Sequence, residues 1–320
     1  SAHLYVNLQL NPLKEKMIKD IAVCIITYKR PIFLRQCITT LLIQKPDFDL
    51  YIIDNDKNLS AKRVIDFMQH DSHIKLNYVI EKNKGIPFAR NKAVKIVKSK
   101  YKYLTFIDDD EGADKLWLLN LYKAIKEYDA DIIAGPVFGS FKNNTPRIIK
   151  SGNFLRIKRK KYIDGQLIKS CGTGNIIIKN KIFKKYPKPF NEKFENTGGS
   201  DAYFFEQVSK EGYTIKWCAN AIVYEKYAED RLSLRWNLMR SYRIGNSKCF
   251  GLKLRRKYVK IIFKIFLSIF ELALITFLIP LCLMIYLLGY KKLFIILIKT
   301  TMRTLGFCIG VLGHRYQDYK

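Results

Sequence analysis

Between Ile21 and about Ala228 short apolar runs alternate with amphipathic helical stretches, and this alternation restricts the chain to very few architectures. IAVCIIT (Ile21–Thr27), LYIID (Leu50–Asp54), KLNYVI (Lys75–Ile80), YLTFID (Tyr103–Asp108) and DIIAGPVF (Asp131–Phe138) have the length and continuous hydrophobicity of strands buried on both faces. The intervening Phe33–Gln44, Ser60–Gln69, Ile86–Ser99 and Lys115–Tyr128 read as helices. Pro31 and Pro87 lie near helix starts, where a missing N–H does least harm. Strands alternating with helices predict an open parallel α/β sheet, with ligands at the carboxyl ends of its strands. A second, shorter α/β stretch runs from Gly172 to Glu225.

Lys plus Arg number 57 against 28 Asp plus Glu, a formal charge of +29. Such an excess attracts a polyanion: nucleic acid, an anionic membrane or phosphorylated substrates. With 48% apolar residues the chain can bury a core, which excludes disorder, and 27% charged residues exclude a polytopic transporter. The seven cysteines form no CxxC pair, and His3, His70, His73 and His314 fall at no zinc-ligand spacing. Reduced thiols in a cytosolic compartment are expected. The N-terminus lacks a signal-peptide layout. Residues 1–16 read as an extension outside the fold.

The C-terminal quarter is different. Ile261–Gly289 is apolar apart from Lys264, Glu271 and a few small or neutral residues including Pro280. At about 1.5 Å per residue it can cross a hydrocarbon core of about 30 Å. Lys253, Arg255, Arg256, Lys257 and Lys260 precede it in a positive-inside pattern. Pro280 leaves two membrane readings open, a kinked spanning helix or a re-entrant or in-plane hairpin. Leu293–Gly313 contains Lys299 and Arg303 and fits an interfacial helix better than a clean span. A further cluster, Arg156, Lys158, Arg159, Lys160 and Lys161, reads either as a solvated loop or as a patch facing anionic lipid or acceptor phosphate. The expected organisation is an N-terminal extension (1–16), a catalytic domain (17–245), a basic juxtamembrane segment (246–260), hydrophobic membrane-associated helices (261–313) and a polar tail (314–320).

FIDDDE (Phe106–Glu111) closes a predicted buried strand. Successive carboxylates there repel one another without a cation. Asp108 and Asp110 present hard oxygen ligands to Mg²⁺ or Mn²⁺, which in turn holds a diphosphate. A solvated acidic turn is the alternative, and the position at a strand's carboxyl end speaks against it.

TYKRP (Thr27–Pro31), IDND (Ile53–Asp56), GIPFARN (Gly85–Asn91), FIDDDE, GPVF (Gly135–Phe138), GTGN (Gly172–Asn175) and TGGSDAYFF (Thr197–Phe205) follow one another at fitting intervals. In that order they resemble the family 2 inverting glycosyltransferases, and in particular bacterial exopolysaccharide glucosyltransferases of the succinoglycan type. The resemblance covers roughly Ile21 to Gly245. It implies a GT-A fold, a Rossmann-like mixed sheet flanked by helices, followed here by hydrophobic membrane-associated helices. It also implies a nucleotide-sugar donor, with UDP-hexose the expectation, and Mg²⁺ or Mn²⁺.

By the same resemblance Thr27, Tyr28, Arg30, Asp54, Asn83, Gly85, Arg90, Asp108 and Asp109 belong to the nucleotide-sugar site, and Asp110 with Asp108 to the metal. Each role suits its side chain. An aromatic face at Tyr28 fits a uracil ring, Asp54 can accept from a base or ribose, and Arg90 offers a bidentate fork to phosphate. The Asn83–Gly85 turn permits close backbone approach. Asp201 is the expected catalytic base, because inversion needs one carboxylate to take the acceptor hydroxyl proton. Its competing reading is a helix N-cap. Ser200 stands where close relatives usually carry an acidic residue.

Gly174 and Asn175 are expected along the acceptor cleft. Glu225 is open between a structural role and one near metal or diphosphate. Arg240 and Arg243, at i, i+3 on one helical face, are open between a pyrophosphate and snorkelling at a membrane surface. Trp236 has the shape to stack on a sugar, while Trp217 reads as core. The expected acceptor is a lipid-linked or polysaccharide saccharide at the cytoplasmic face of a bacterial inner membrane, whose anionic surface is a further partner. Direct glycosylation of a polyprenyl phosphate is the alternative activity. Nucleic acid is not an expected partner, since no RNP-like or helix-turn-helix pattern is present.

Overall fold

The computed structural model describes residues 20–44, 47–140, 145–146, 149, 162–289 and 291–317. The basic cluster at 156–161 and the extension at 1–16 lie outside the described residues. The first half of the chain forms β1 (Ile21–Thr27), α1 (Pro31–Leu42), β2 (Asp49–Asp54), α2 (Lys62–Asp71), β3 (Leu76–Ile80), α3 (Ile86–Val97), β4 (Tyr103–Asp108), β5 (Glu111–Ala113), α4 (Trp117–Glu127), β6 (Ile132–Ala134) and β7 (Val137–Ser140). Then come β8 (Asn175–Lys179), α5 (Ile182–Lys185), α6 (Ser200–Lys210), β9 (Ile215–Trp217), β10 (Val223–Lys226), α7 (Leu234–Leu254), α8 (Tyr258–Leu287) and α9 (Lys291–Val311).

β1 is the hub. Ile21 through Ile25 are fully buried, as continuous hydrophobicity predicts. Ile21, Val23 and Ile25 pack with α1, α2 and α4 on one face, while Ala22 and Cys24 pack with α3 and α6 on the other. Each fully buried Val or Ile is worth roughly 1.5–3 kcal/mol relative to exposure, so this one strand fastens both helical layers.

The main sheet has the order β3-β2-β1-β4-β8-β6-β9. β1, β2, β3 and β4 are parallel neighbours, but β8 lies antiparallel between β4 and β6. The sheet is therefore mixed, where strand–helix alternation taken alone predicts a parallel one. β8 starts beside the carboxyl end of β4, with Asn175 opposite Ile107, and so runs back through the sheet. The expected strand at 131–138 also divides. Pro136 cannot donate to a ladder, and β7 beyond it joins a second sheet, β5-β10-β7. That small sheet sits directly after the acidic motif and pairs Glu111 with Glu225.

α7 begins at a Ser233 cap, whose Oγ accepts from Trp236 N at 3.2 Å, and runs unbroken past residue 245. α8 and α9 contain stretches long and apolar enough to cross a membrane. α9 lies along α7 at backbone contact distance. A Cβ at Gly306 would stand 2.0 Å from the Tyr242 carbonyl oxygen, and one at Gly245 would stand 1.9 Å from that of Arg303. Gly306→Ala should therefore lower stability by about 1–3 kcal/mol and expose the α8–α9 turn to protease. An unchanged melting temperature in that variant would contradict the close helix pairing.

Candidate active site

Strand register brings the chemistry together. Thr27 pairs with Asp54, and Ile26 with Asp108, so the carboxyl ends of β1, β2 and β4 form one edge. Asp109, Asp110 and Glu111 are buried there, and Asp108 is partly open, its side chain 41% exposed. Thr27 Oγ1 donates to Asp109 Oδ2 at 2.8 Å, and Arg30 Nη1 reaches Asp109 at 3.3 Å and Asp110 at 3.0 Å. Arg231 Nη1 lies 2.8 Å from the same Asp110 oxygen and 3.9 Å from Glu225. Tyr227 donates to Glu225 at 2.9 Å.

Burial of so much acid has an electrostatic consequence. Desolvation, followed by the Asp110 charge, pushes Asp109 up to about 7 despite Arg30 and Thr27. Asp110 is raised as well, burial outweighing Arg231 and Arg30. Glu111 is held well above the usual carboxylate range by burial and by Asp108 and Glu225. Among the described residues no three His, Cys, Asp or Glu side chains converge as a metal cage. A Mg²⁺ held with a nucleotide needs fewer, because it takes one or two carboxylates and fills its shell with phosphate and water. Asp108 and Asp110 fit that requirement: hard oxygens in a strongly acidic pocket where added positive charge favours ionisation.

The side expected to take the nucleotide is built from the next two strands. Asp54, expected to touch the base, is fully buried. Its oxygens accept from Asp56 N at 3.0 Å, Ala61 N at 3.0 Å and Tyr78 Oη at 2.8 Å. Its carboxylate holds the β2–α2 connection. Thr27 and Asp109 likewise face inward and brace the acidic edge from below. Asn55 was not singled out by the sequence reading. Its amide donates to Glu81 O and Asn83 O, and its oxygen accepts from Gly85 N at 2.7 Å, which fixes the Asn83–Gly85 turn. Gly85 has φ +137°, and a Cβ there would meet Glu195 Cβ at 2.9 Å. The close approach expected of Gly85 is therefore to Glu195, a residue assigned no role from sequence. Tyr28 is half-buried, with the Lys29 and Lys84 ammonium groups 5.3 and 5.4 Å from its ring. Arg90 is buried over Phe190, with Nη2 3.4 Å from Asp108 and no partner at Nε. A guanidinium with one nitrogen unpartnered beside the acidic edge is suited to a phosphate oxygen.

Gly174 and Asn175, expected along the acceptor cleft, have structural partners. A Cβ at Gly174 would collide with Glu111 Oε1 at 2.5 Å, so the glycine makes room for that carboxylate. Asn175 is a buried strut: it accepts from Trp117 Nε1 at 2.8 Å and donates to Pro136 O and Ala221 O at 2.9 and 2.6 Å. Asp201 stands one residue inside α6, whose cap is Gly199 at φ +98°, so it is not the N-cap. Half-buried, it accepts from Ala202 N at 2.8 Å. Burial and the Asp201 charge together raise the thiol pKa of Cys171. Arg231, also missed by sequence reading, and Arg240 flank the Trp236 ring at 5.6 and 5.3 Å. Arg243 is half-buried one turn further along α7. Trp217 is core, against Tyr162.

Comparison with known proteins agrees with this architecture. The model of glycosyl transferase family 2 matches residues 22–187, more than half of the chain. The chain is 28% identical over 231 residues to the succinoglycan biosynthesis protein ExoM of Rhizobium meliloti, covering 71% of this chain and 73% of that one. It is 21% identical over 247 residues to the chondroitin synthase of Escherichia coli, covering 67% of this chain but only 36% of that protein. The crystal structure of S. aureus TarS 1-349 superposes with a TM-score of 0.52 at 14% identity, over 70% of this chain and 65% of that one. The chain belongs to glycosyl transferase family 2, and its mixed sheet with flanking helices is the GT-A fold.

The structural assignment of Asn175 is open to test. Asn175→Leu should cost about 3 kcal/mol in urea unfolding, because three buried groups lose their partner. Full stability with a raised acceptor KM would restore the acceptor role.

Proposed function

We propose that the chain is a metal-dependent, inverting hexosyltransferase. It moves a sugar from a nucleoside-diphosphate donor, UDP-hexose, to a lipid-linked or exopolysaccharide saccharide at the cytoplasmic face of a bacterial membrane. The observation that carries this reading is the acidic edge at β4, with Asp108 at its rim, Asp110 buried behind it, and Arg30, Arg90 and Arg231 around them. ExoM, by its name a succinoglycan biosynthesis protein, supports the choice of acceptor class.

Tyr28 stacks on the base, and Arg90 takes the diphosphate with its unpartnered Nε. Asp108 and Asp110 hold Mg²⁺ or Mn²⁺, which supplies charge neutralisation for the leaving diphosphate. Arg30 and Arg231 lie against Asp110 and oppose the rise that burial imposes on it. Asp201 accepts the proton of the acceptor hydroxyl as its oxygen bonds to the anomeric carbon. The bond from that carbon to the diphosphate oxygen breaks on the opposite face, and its electron pair leaves with the nucleotide.

A panel of nucleotide sugars, read first as donor hydrolysis and then as transfer, identifies the donor. Asp201→Asn should keep donor affinity and lose transfer by about 10²–10⁴-fold. Undiminished transfer in that variant would remove Asp201 from the chemistry.

A further inference from the structure

The packing of the C-terminal helices decides between crossing a membrane and lying on it. α9 is bound along its length to α7. Ile295 packs with Leu238 and Tyr227 near one end. Gly245 and Gly306 make backbone contact in the middle. Asn246 donates to Gly306 O at 3.2 Å and to His314 O at 2.9 Å, and Lys253 Nζ closes the far end on Gly310 O and Val311 O at 2.9 and 2.8 Å. α7 is in turn part of the catalytic domain. Ser247 donates to Thr197 O at 3.0 Å, and Arg255, just past the helix end, donates to Glu206 and to Tyr203 O at 2.5 Å. α7 also carries five cations, Arg235, Arg240, Arg243, Lys248 and Lys253, and no acid. A helix of that composition does not enter hydrocarbon, and α9 cannot leave it without breaking these contacts.

α8 lies antiparallel on α9, with Thr304 Oγ1 donating to Glu271 at 2.8 Å and Lys264 over the Phe307 ring. One face, Ile261, Ser268 and Ile275, is buried. The opposite face exposes Phe263, Phe266, Phe270, Leu274, Phe277 and Met284, Phe277 at 81%. Exposed apolar residues run nearly the whole 30-residue helix, about 45 Å, and extend onto its flanks at Ile262, Ile269 and Leu283. Whatever covers them lies along the helix rather than at its end.

The basic segment narrows the choice. Lys253 and Arg255 are engaged inside the protein, while Arg256, Lys257 and Lys260 are exposed beside Tyr258, Val259 and Phe263. Exposed cations bordering an apolar surface match the phosphates and acyl boundary of an anionic bilayer. We propose that α8 lies flat in the headgroup–acyl boundary of an anionic membrane, backed by α9 and α7, and that this helical hairpin does not cross it. The inference concerns attachment and is independent of the sugar-transfer reading.

The test is flotation of the purified full chain with preformed vesicles, without any donor or acceptor. Phosphatidylcholine–phosphatidylglycerol vesicles should carry the chain up the gradient, and pure phosphatidylcholine about tenfold less. A protease site inserted after Gly289 should be cut from outside sealed vesicles. Phe266→Glu combined with Phe270→Glu should abolish flotation, and the far-ultraviolet spectrum of that variant checks its fold. The wild-type protection result stands even if the variant misfolds. A protected turn at Gly289 would overturn the proposal in favour of a span. Equal flotation with both vesicle types would overturn the anionic match. Absence of flotation, with a dimer in light scattering, would assign the face to a second copy. A chain that floats but transfers no sugar would refute the proposed function and leave this proposal intact.

Discussion

Much of the catalytic half depends on one electrostatic problem, the burial of consecutive carboxylates where β4 leaves the sheet. Desolvation raises the energy of every charged acid there, and the fold answers from several directions. Thr27 and Arg30 come from β1 and the turn after it, and Arg231 from the short helical turn before α7. The Asp108 amide holds Glu111 at 3.0 Å, and Gly174 leaves space for the same carboxylate. The second sheet adds a further acid, since it pairs β10 and its Glu225 beside Glu111. Structure surrounding the acids is thus arranged to tolerate them, and carboxylates perturbed in this way cluster at functional sites.

Legibility in the sequence followed the range of the interaction. β1, β2, β3 and β4 were readable because burial on both faces imposes continuous hydrophobicity, a local signal. The antiparallel β8 was not, since NIIIK has the composition of a buried strand of either direction. The position of Asp108 and Asp110 at a strand's carboxyl end was readable, since the apolar run before them marks where the strand stops. Asp54, Gly174 and Asn175 were readable as important but not for their reason. Their partners, Ala61, Glu111 and Trp117, lie 7 to 63 positions away in contacts that spacing does not encode. Arg231 had no local signal, being one cation among 57 basic residues.

The charge of +29 is redistributed by the structure. Arg30, Arg90 and Arg231 serve the acidic edge, and Lys253 and Arg255 hold the C-terminal helices to the catalytic domain. What reads in sequence as a five-residue positive-inside signal is in the fold three exposed cations and two internal fasteners. The two glycines joining α7 to α9 are 61 positions apart, which is why a tail that is apolar residue by residue does not reveal that half of it is docked on protein.

The central claim is that the acidic edge holds a nucleotide diphosphate through a divalent cation. Calorimetric titration of the full chain with UDP, in Mn²⁺ and then in chelator, addresses it without any acceptor. The account predicts binding in Mn²⁺ that weakens about tenfold or more on chelation, a loss of about 1.4 kcal/mol or more, and a similar loss in Asp110→Asn. Equal affinity under all three conditions would contradict it.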